Sequence, residues 1–228
     1  VTVDVGRRGD VWVLRMTDGE NRFNRTSIDA LHAALDAVEA TTGPCALVTT
    51  GEDKFFSNGL DLDWLSSTGG DERFIDDVHR LFGRLLGFPA YTIAAVNGHA
   101  FAGGAMLASA HDAIVMREDR GYWCLPEVDL GLPLTPAMYA TVAAHVPQAT
   151  VADAALTGRR YTGPEAVTAG IAIEAVAEDA VVDRAVELAA ALAGKDRSVL
   201  RAHKALLYGD AMRACGYEPM PPPPTTLR

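Results

Sequence analysis

The sequence predicts a single α/β domain with a buried sheet, and three observations carry that expectation. Short apolar runs stand at residues 11–16, 46–50, 91–96 and 113–116, the length of strands with covered faces. Segments between them carry apolar residues three and four apart, the helical period. Gly, Asn and Pro punctuate the junctions at Gly51, Gly87, Pro89 and Asn97-Gly98, so strands and helices alternate over short connections.

Each element follows in order. Val11 to Met16 reads as a strand, and residues 27–40 place Ile28, Leu31, Leu35 and Val38 on one helical face, with Ser27 as its expected cap. Ala46 to Thr50 is a short buried strand, followed by a loop with a helical start. Residues 71–86 align Phe74, Val78, Leu81, Phe82 and Leu85 in an amphipathic helix. A strand over 91–96 leads through Asn97-Gly98 to a small-residue helix over about 103–110, then a strand over 113–116. Beyond 147 the chain turns Ala-rich, with helices expected at 148–156, 164–169 and 180–193. A last helix, 196–208, offers Val199, Leu200, Leu206 and Leu207 for packing, and residues 219–224 form an extended proline-rich tail.

Composition narrows the function. A chain of 228 residues, 49% hydrophobic and 22% charged, is long enough for a large core and has the balance of a globular protein. Its net charge of −10 argues against a nucleic-acid or anionic-membrane surface, which needs clustered basic residues. No apolar run reaches the roughly 18 residues of a spanning helix, and the opening residues lack a signal-peptide layout, so a cytoplasmic protein is expected. Cys45, Cys124 and Cys215 are too scattered for a disulfide framework or zinc site and are expected as reduced thiols. The six histidines show no HxxxH or HxH spacing and no GxSxG elbow is present, so neither a metal centre nor a serine hydrolase is indicated.

The chemistry-bearing segments are two glycine turns and one acid. Phe56-Ser57-Asn58-Gly59-Leu60-Asp61 opens what reads as a helix, whose first N–H groups lack intrahelical partners. Gly98 to Gly104 is a glycine-rich turn, but Ala105 stands where a phosphate loop needs lysine, and the GxGxxG of a dinucleotide site is missing. Such a turn also serves plain helix-on-strand packing. Glu127 lies among Leu125, Val128, Leu130 and Leu132; buried there, it would have a raised pKa and act as a base near neutral pH. A surface acid at a strand end fits the same letters, and Asp129, two residues on, would share its strand face.

Four blocks in order resemble the crotonase, or enoyl-CoA hydratase/isomerase, superfamily over roughly residues 10–190: Asn21-Arg22-Phe23-Asn24, Phe56 to Asp61, Asn97 to Asp112, and Leu125-Pro126-Glu127 with Gly131. The resemblance implies a ClpP/crotonase-like spiral of ββα units over residues 1–190, with a short helical region and tail over 191–228. It implies acyl-CoA thioester substrates, no cofactor beyond the substrate's own coenzyme A, and a homotrimer or a dimer of trimers. An oxyanion hole is implied at the backbone N–H groups of Leu60 and Gly103, with Glu127 as the catalytic acid–base. Substrate contacts are implied at Arg22, Phe23, Ser57, Asn58, Gly59, Asp61, Met106 and Leu132, and cations for CoA phosphates among Arg22, Arg25, Lys54, Arg201 and Lys204. Family hydratases use two glutamates, and the first falls here on Met106. One carboxylate suffices to move a proton from C2 to C4 of a 3-enoyl-CoA. Ser109-Ala110-His111-Asp112 and Asp119-Arg120-Gly121 also look like the plant-type Δ3,Δ2-enoyl-CoA isomerases. Isomerase is therefore the expected activity; the alternatives are a hydratase, another CoA-thioester enolate enzyme such as a decarboxylase or hydrolase, and a non-catalytic acyl-CoA binding subunit.

Overall fold

The computed structural model describes residues 3–68 and 72–219. A hairpin of β1 (Val3–Arg8) and β2 (Val11–Met16) turns at Gly9, and β2 then pairs in parallel with β3 (Ala46–Thr50). β5 (Tyr91–Val96), β7 (Ala113–Arg117) and β10 (Glu174–Val176) extend this six-stranded sheet in the order β1-β2-β3-β5-β7-β10. A smaller sheet, β4-β6-β8-β9, is built from β4 (Phe55–Ser57), β6 (His99–Phe101), β8 (Trp123–Cys124) and β9 (Arg160–Tyr161). Three successive strand pairs, β3 then β4, β5 then β6, and β7 then β8, give one strand to each sheet before the chain enters a helix. That is the expected spiral of ββα units.

Both faces of the large sheet are covered at its central strands β2, β3, β5 and β7, which is why these read as continuous apolar runs, whereas the edge strand β1 is exposed. Val13, Val48, Ile93 and Val115 pack under Val181, Ala185 and Ala189 of α9 (Val181–Ala190). The alternate residues, among them Leu14, Leu47, Ala94 and Ile114, enter the main core. There they meet α1 (Arg25–Glu39), through Ile28, Leu31, Leu35 and Val38, and α3 (Glu72–Leu86), through Phe74, Val78, Leu81, Phe82 and Leu85. These are the residues the helical period selected. Cys45, Cys124 and Cys215 are all buried as free thiols.

Several expectations are corrected. Asn24, extended at φ −133°, caps α1 by accepting from the Ser27 N–H at 3.0 Å, while Ser27 Oγ accepts the Asn24 N–H at 2.8 Å. Ser27 is thus the third helical residue of a capping box, not the cap. Glu127 ends no strand; it opens α5 (Glu127–Leu130), so Asp129 points to another side of a helical turn. The last helix, α10, runs Arg197–Ala214, past the expected end at 208, because Met212 and Cys215 are buried in the core. Its packed side carries Lys204 and Met212, whereas Val199, Leu206 and Leu207 are exposed. α6 (Pro136–Ala143), begun by Thr135, was not signalled by a clear apolar period. Asp71 and residues 220–224 of the proline-rich tail lie outside the described residues. No described helix is long and apolar enough to cross a membrane.

Candidate active site

Two backbone segments meet beneath the main core. Phe23 and Leu60 form a parallel bridge in which the Phe23 N–H donates to the Gly59 carbonyl at 2.6 Å and the Asp61 N–H donates to the Phe23 carbonyl at 2.9 Å. The strand alternation turns the intervening Leu60 N–H the other way, where no described backbone group accepts it. Gly103 opens α4 (Gly103–Ser109), and its N–H is among the donors a helix start leaves unpaired. Gly59, at φ +74°, fits closely against this start: a Cβ there would stand 2.6 Å from the Gly103 nitrogen. A Cβ on Gly104 would stand 2.0 Å from the Ser57 carbonyl oxygen, so both glycines are required by close backbone approach.

A cavity of about 290 Å³ opens in front of these segments. Seven expected site residues line it: Leu60, Gly103 and Glu127, with Arg22, Asn58, Met106 and Leu132. The other four expected there, Phe23, Ser57, Gly59 and Asp61, do not line it. Phe23 supports Gly103, its ring 3.1 Å from where a Gly103 Cβ would be. Ser57 Oγ donates to the Asn21 carbonyl at 2.7 Å and accepts the Gly59 N–H at 3.1 Å. Gly59 itself provides the close approach, and Asp61 caps α2 (Leu62–Ser67) by accepting the Trp64 N–H at 3.0 Å. Their polar and backbone groups are spent on holding the wall.

Glu127 is 8% exposed, and its Oε2 has no hydrogen-bond partner among the described residues. Burial pushes its carboxyl above the ordinary carboxylate range, opposed by a bond to its own backbone N–H. Met106, fully buried, faces the same cavity, and Ile75, Val78 and Phe82 of α3 with Met138 of α6 complete an apolar wall. Among the described residues the site thus combines a buried carboxyl with one unpartnered oxygen and two N–H groups without a backbone acceptor, on a lining that is mostly apolar but includes Arg22, Asn58 and Arg160. A larger, shallower hollow of about 450 Å³ lies between α7 (Gln148–Thr157) and α8 (Gly163–Thr168), where Arg159 already pairs with Asp153 and Glu165.

Of the expected phosphate cations, Arg22 alone lines the cavity. Lys204 is corrected: it is 4% exposed and donates to Asp112 Oδ2 at 2.6 Å and to the Ala90 carbonyl at 2.8 Å, so it anchors α10 inside the protein. Arg25 pairs with Asp77 at 2.5 Å and Arg201 with Glu39 at 2.8 Å, both away from the cavity lining. Arg22 lines the cavity with its guanidinium on Glu20 at 2.5 Å, and Lys54 does not line it. Three further lining residues escape the sequence reading, Phe101, Cys124 and Arg160, which are cross-strand neighbours on β6, β8 and β9. Strands of two and three residues are too short to show a period. Burial pushes the Cys124 thiol up to about 11, and it donates to the Gly158 carbonyl at 3.3 Å, so it is no nucleophile near neutral pH.

The family profile described as enoyl-CoA hydratase/isomerase matches residues 7–214. The chain belongs to that family. This enoyl-CoA hydratase/isomerase family enzyme is 38% identical over 199 residues to enoyl-CoA delta isomerase 3 of Arabidopsis thaliana, covering 83% of this chain and 84% of the relative. An apo enoyl-CoA isomerase of Mycobacterium tuberculosis superposes with a TM-score of 0.85 at 29% identity, covering 94% of each chain. An enoyl-CoA hydratase of Mycobacterium ulcerans does so with a TM-score of 0.85 at 28% identity, covering 95% of each. The family match reaches further than the four sequence blocks, taking in α10.

Proposed function

We propose that this family member is a Δ3,Δ2-enoyl-CoA isomerase, with Glu127 as its single proton shuttle. The observation that carries the reading is the pairing of a buried Glu127, whose Oε2 has no partner among the described residues, with an apolar Met106 at the position where family hydratases place a second glutamate. The thioester carbonyl oxygen sits between the Leu60 and Gly103 N–H groups. The Glu127 carboxylate removes a proton from C2 of the 3-enoyl-CoA, and the electron pair moves into the dienolate, whose negative oxygen those two donors stabilise. The Gly103 donor adds the field of the α4 N-terminus. Protonated Glu127 then delivers the proton to C4, and the conjugated 2-enoyl-CoA leaves with the carboxylate restored. The reaction is redox-neutral and conserves its atoms, so it asks for no cofactor beyond the coenzyme A of the substrate.

Burial serves this cycle in two ways. A carboxyl held above its ordinary range is a stronger base toward carbon than an exposed one, and Met106 with the α3 wall keeps water from adding to the conjugated product. The test is a 3-enoyl-CoA deuterated at C2 and turned over in ordinary water. Deuterium recovered at C4 in part of the product is expected of one shuttling carboxyl; complete washout, or a product heavier by one water, would reject the single-shuttle reading.

A further inference from the structure

Phe101, Cys124 and Arg160 form one cross-strand row: Phe101 pairs with Cys124 across β6 and β8, and Cys124 pairs with Arg160 across β8 and β9. All three face the cavity, and the Arg160 guanidinium carbon lies 5.6 Å from the Phe101 ring centroid. The arginine therefore reaches back across the Cys124 position toward the strand that continues into Ala102 and Gly103. Among the described residues no carboxylate lies within ion-pair distance of it, although acids outnumber Lys and Arg by 30 to 20 in this chain. The other cavity arginine, Arg22, has Glu20 at 2.5 Å. Its neighbour Arg159 is likewise held, by Asp153 and Glu165. Arg160 is thus a cation placed on an aromatic platform at the cavity edge, with no partner for its in-plane donors among the described residues.

We infer that Arg160 is a specificity residue that binds an anionic oxygen group of the thioester, either a carboxylate carried by the acyl chain or a phosphate of coenzyme A. The proton shuttle needs no such cation, since its charge develops on the thioester oxygen between two N–H donors. A guanidinium offers carboxylate or phosphate a bidentate fork, and the Phe101 ring fixes its plane. The inference rests on reading the cavity as an acyl-CoA site.

Arg160→Met and Arg160→Lys test it, because the side chain is exposed and its stem is kept in both. Three substrates are compared: 3-hexenoyl-CoA, its analogue with a carboxylate at the far end of the chain, and the 3-hexenoyl thioester of N-acetylcysteamine, which has no phosphate. Arg160→Met is expected to lower kcat/KM by about 10-fold or more, mainly through KM, wherever the anion it binds is present. Loss confined to the carboxylate-bearing ester identifies the acyl chain; loss with both CoA esters but not the N-acetylcysteamine ester identifies a phosphate; Arg160→Lys recovers part of either. Equal loss with all three, or no loss with any, overturns the inference. Calorimetric binding of the same CoA esters keeps the two readings separate: a protein that isomerises none of them yet binds them in an Arg160-dependent way sinks the isomerase reading alone.

Discussion

Gly59→Ala puts a methyl group against the nitrogen that the proposed reaction uses, and it does so without altering any side chain in the cavity. The added carbon would begin 2.6 Å from the Gly103 nitrogen and 3.1 Å from the Ala102 Cβ. Reaching ordinary contact requires the two segments to part by roughly 0.8 Å, enough to take a donor from hydrogen-bond distance of the thioester oxygen to beyond 3.5 Å. Loss of one such donor costs about 10²–10³ in kcat. The substitution also forces Ala into φ +74°, a strain of about 1–2 kcal/mol that has nothing to do with catalysis. Gly9→Ala supplies the control, since Gly9 lies in the β1–β2 turn at φ +62° with nothing within 4 Å of its added carbon. Both proteins are followed by thermal melt, circular dichroism and steady-state kinetics on a 3-enoyl-CoA. Gly9→Ala should lose a few degrees of Tm and keep its kcat; folded Gly59→Ala should lose kcat by about 10²-fold or more. A folded Gly59→Ala protein with wild-type kcat would refute the placement of the oxyanion at Leu60 and Gly103.

Three further predictions concern charges. Glu127→Gln should lower kcat by about 10²-fold or more while leaving thioester binding, measured by calorimetry, largely unchanged. The same variant should melt higher than wild type at pH 8 and not at pH 4. Burial raises the folded-state pKa above its ordinary 4.5, so the native protein holds this proton more tightly than the unfolded chain. Stability attributable to Glu127 therefore falls as pH rises from 4.5 through the folded value, and Gln removes that loss; a Tm difference that is constant with pH would contradict it. Lys204→Met should cost about 3–5 kcal/mol, or roughly 10 °C in Tm, because it strands Asp112 in the interior, and adding Asp112→Asn should recover part of the loss.

Much of this fold was legible because the central strands of its large sheet are buried on both faces and its helices α1 and α3 carry clear apolar stripes. The stripe of α3 emerged residue for residue, from Phe74 to Leu85. Local chemistry beyond the stripe was less readable. Ser27 and Asn24 are both good cap residues, and only the extended φ of Asn24 decides between them. Glu127 looked like a strand end because its helix is four residues long. The apolar residues of α10 misled in the opposite way: Leu206 and Leu207 are exposed, and a paired lysine occupies the packed side, since Asp112 offers it a partner that no sequence window contains. At the site, the order of the glycine blocks and Glu127 pointed to residues that do converge on one cavity. Arg160 was missed because it reaches that cavity through pairing of β8 with β9, a long-range contact between two-residue strands.

The most direct test of the central claim is to give the purified protein a 3-enoyl-CoA and follow the ultraviolet absorbance of the conjugated thioester, with product masses read in parallel. A gain in absorbance at unchanged mass is the predicted result, abolished in Glu127→Gln. Loss of absorbance from a 2-enoyl-CoA with the gain of one water, and no isomerisation of the 3-enoyl-CoA, would contradict the account and make the enzyme a hydratase.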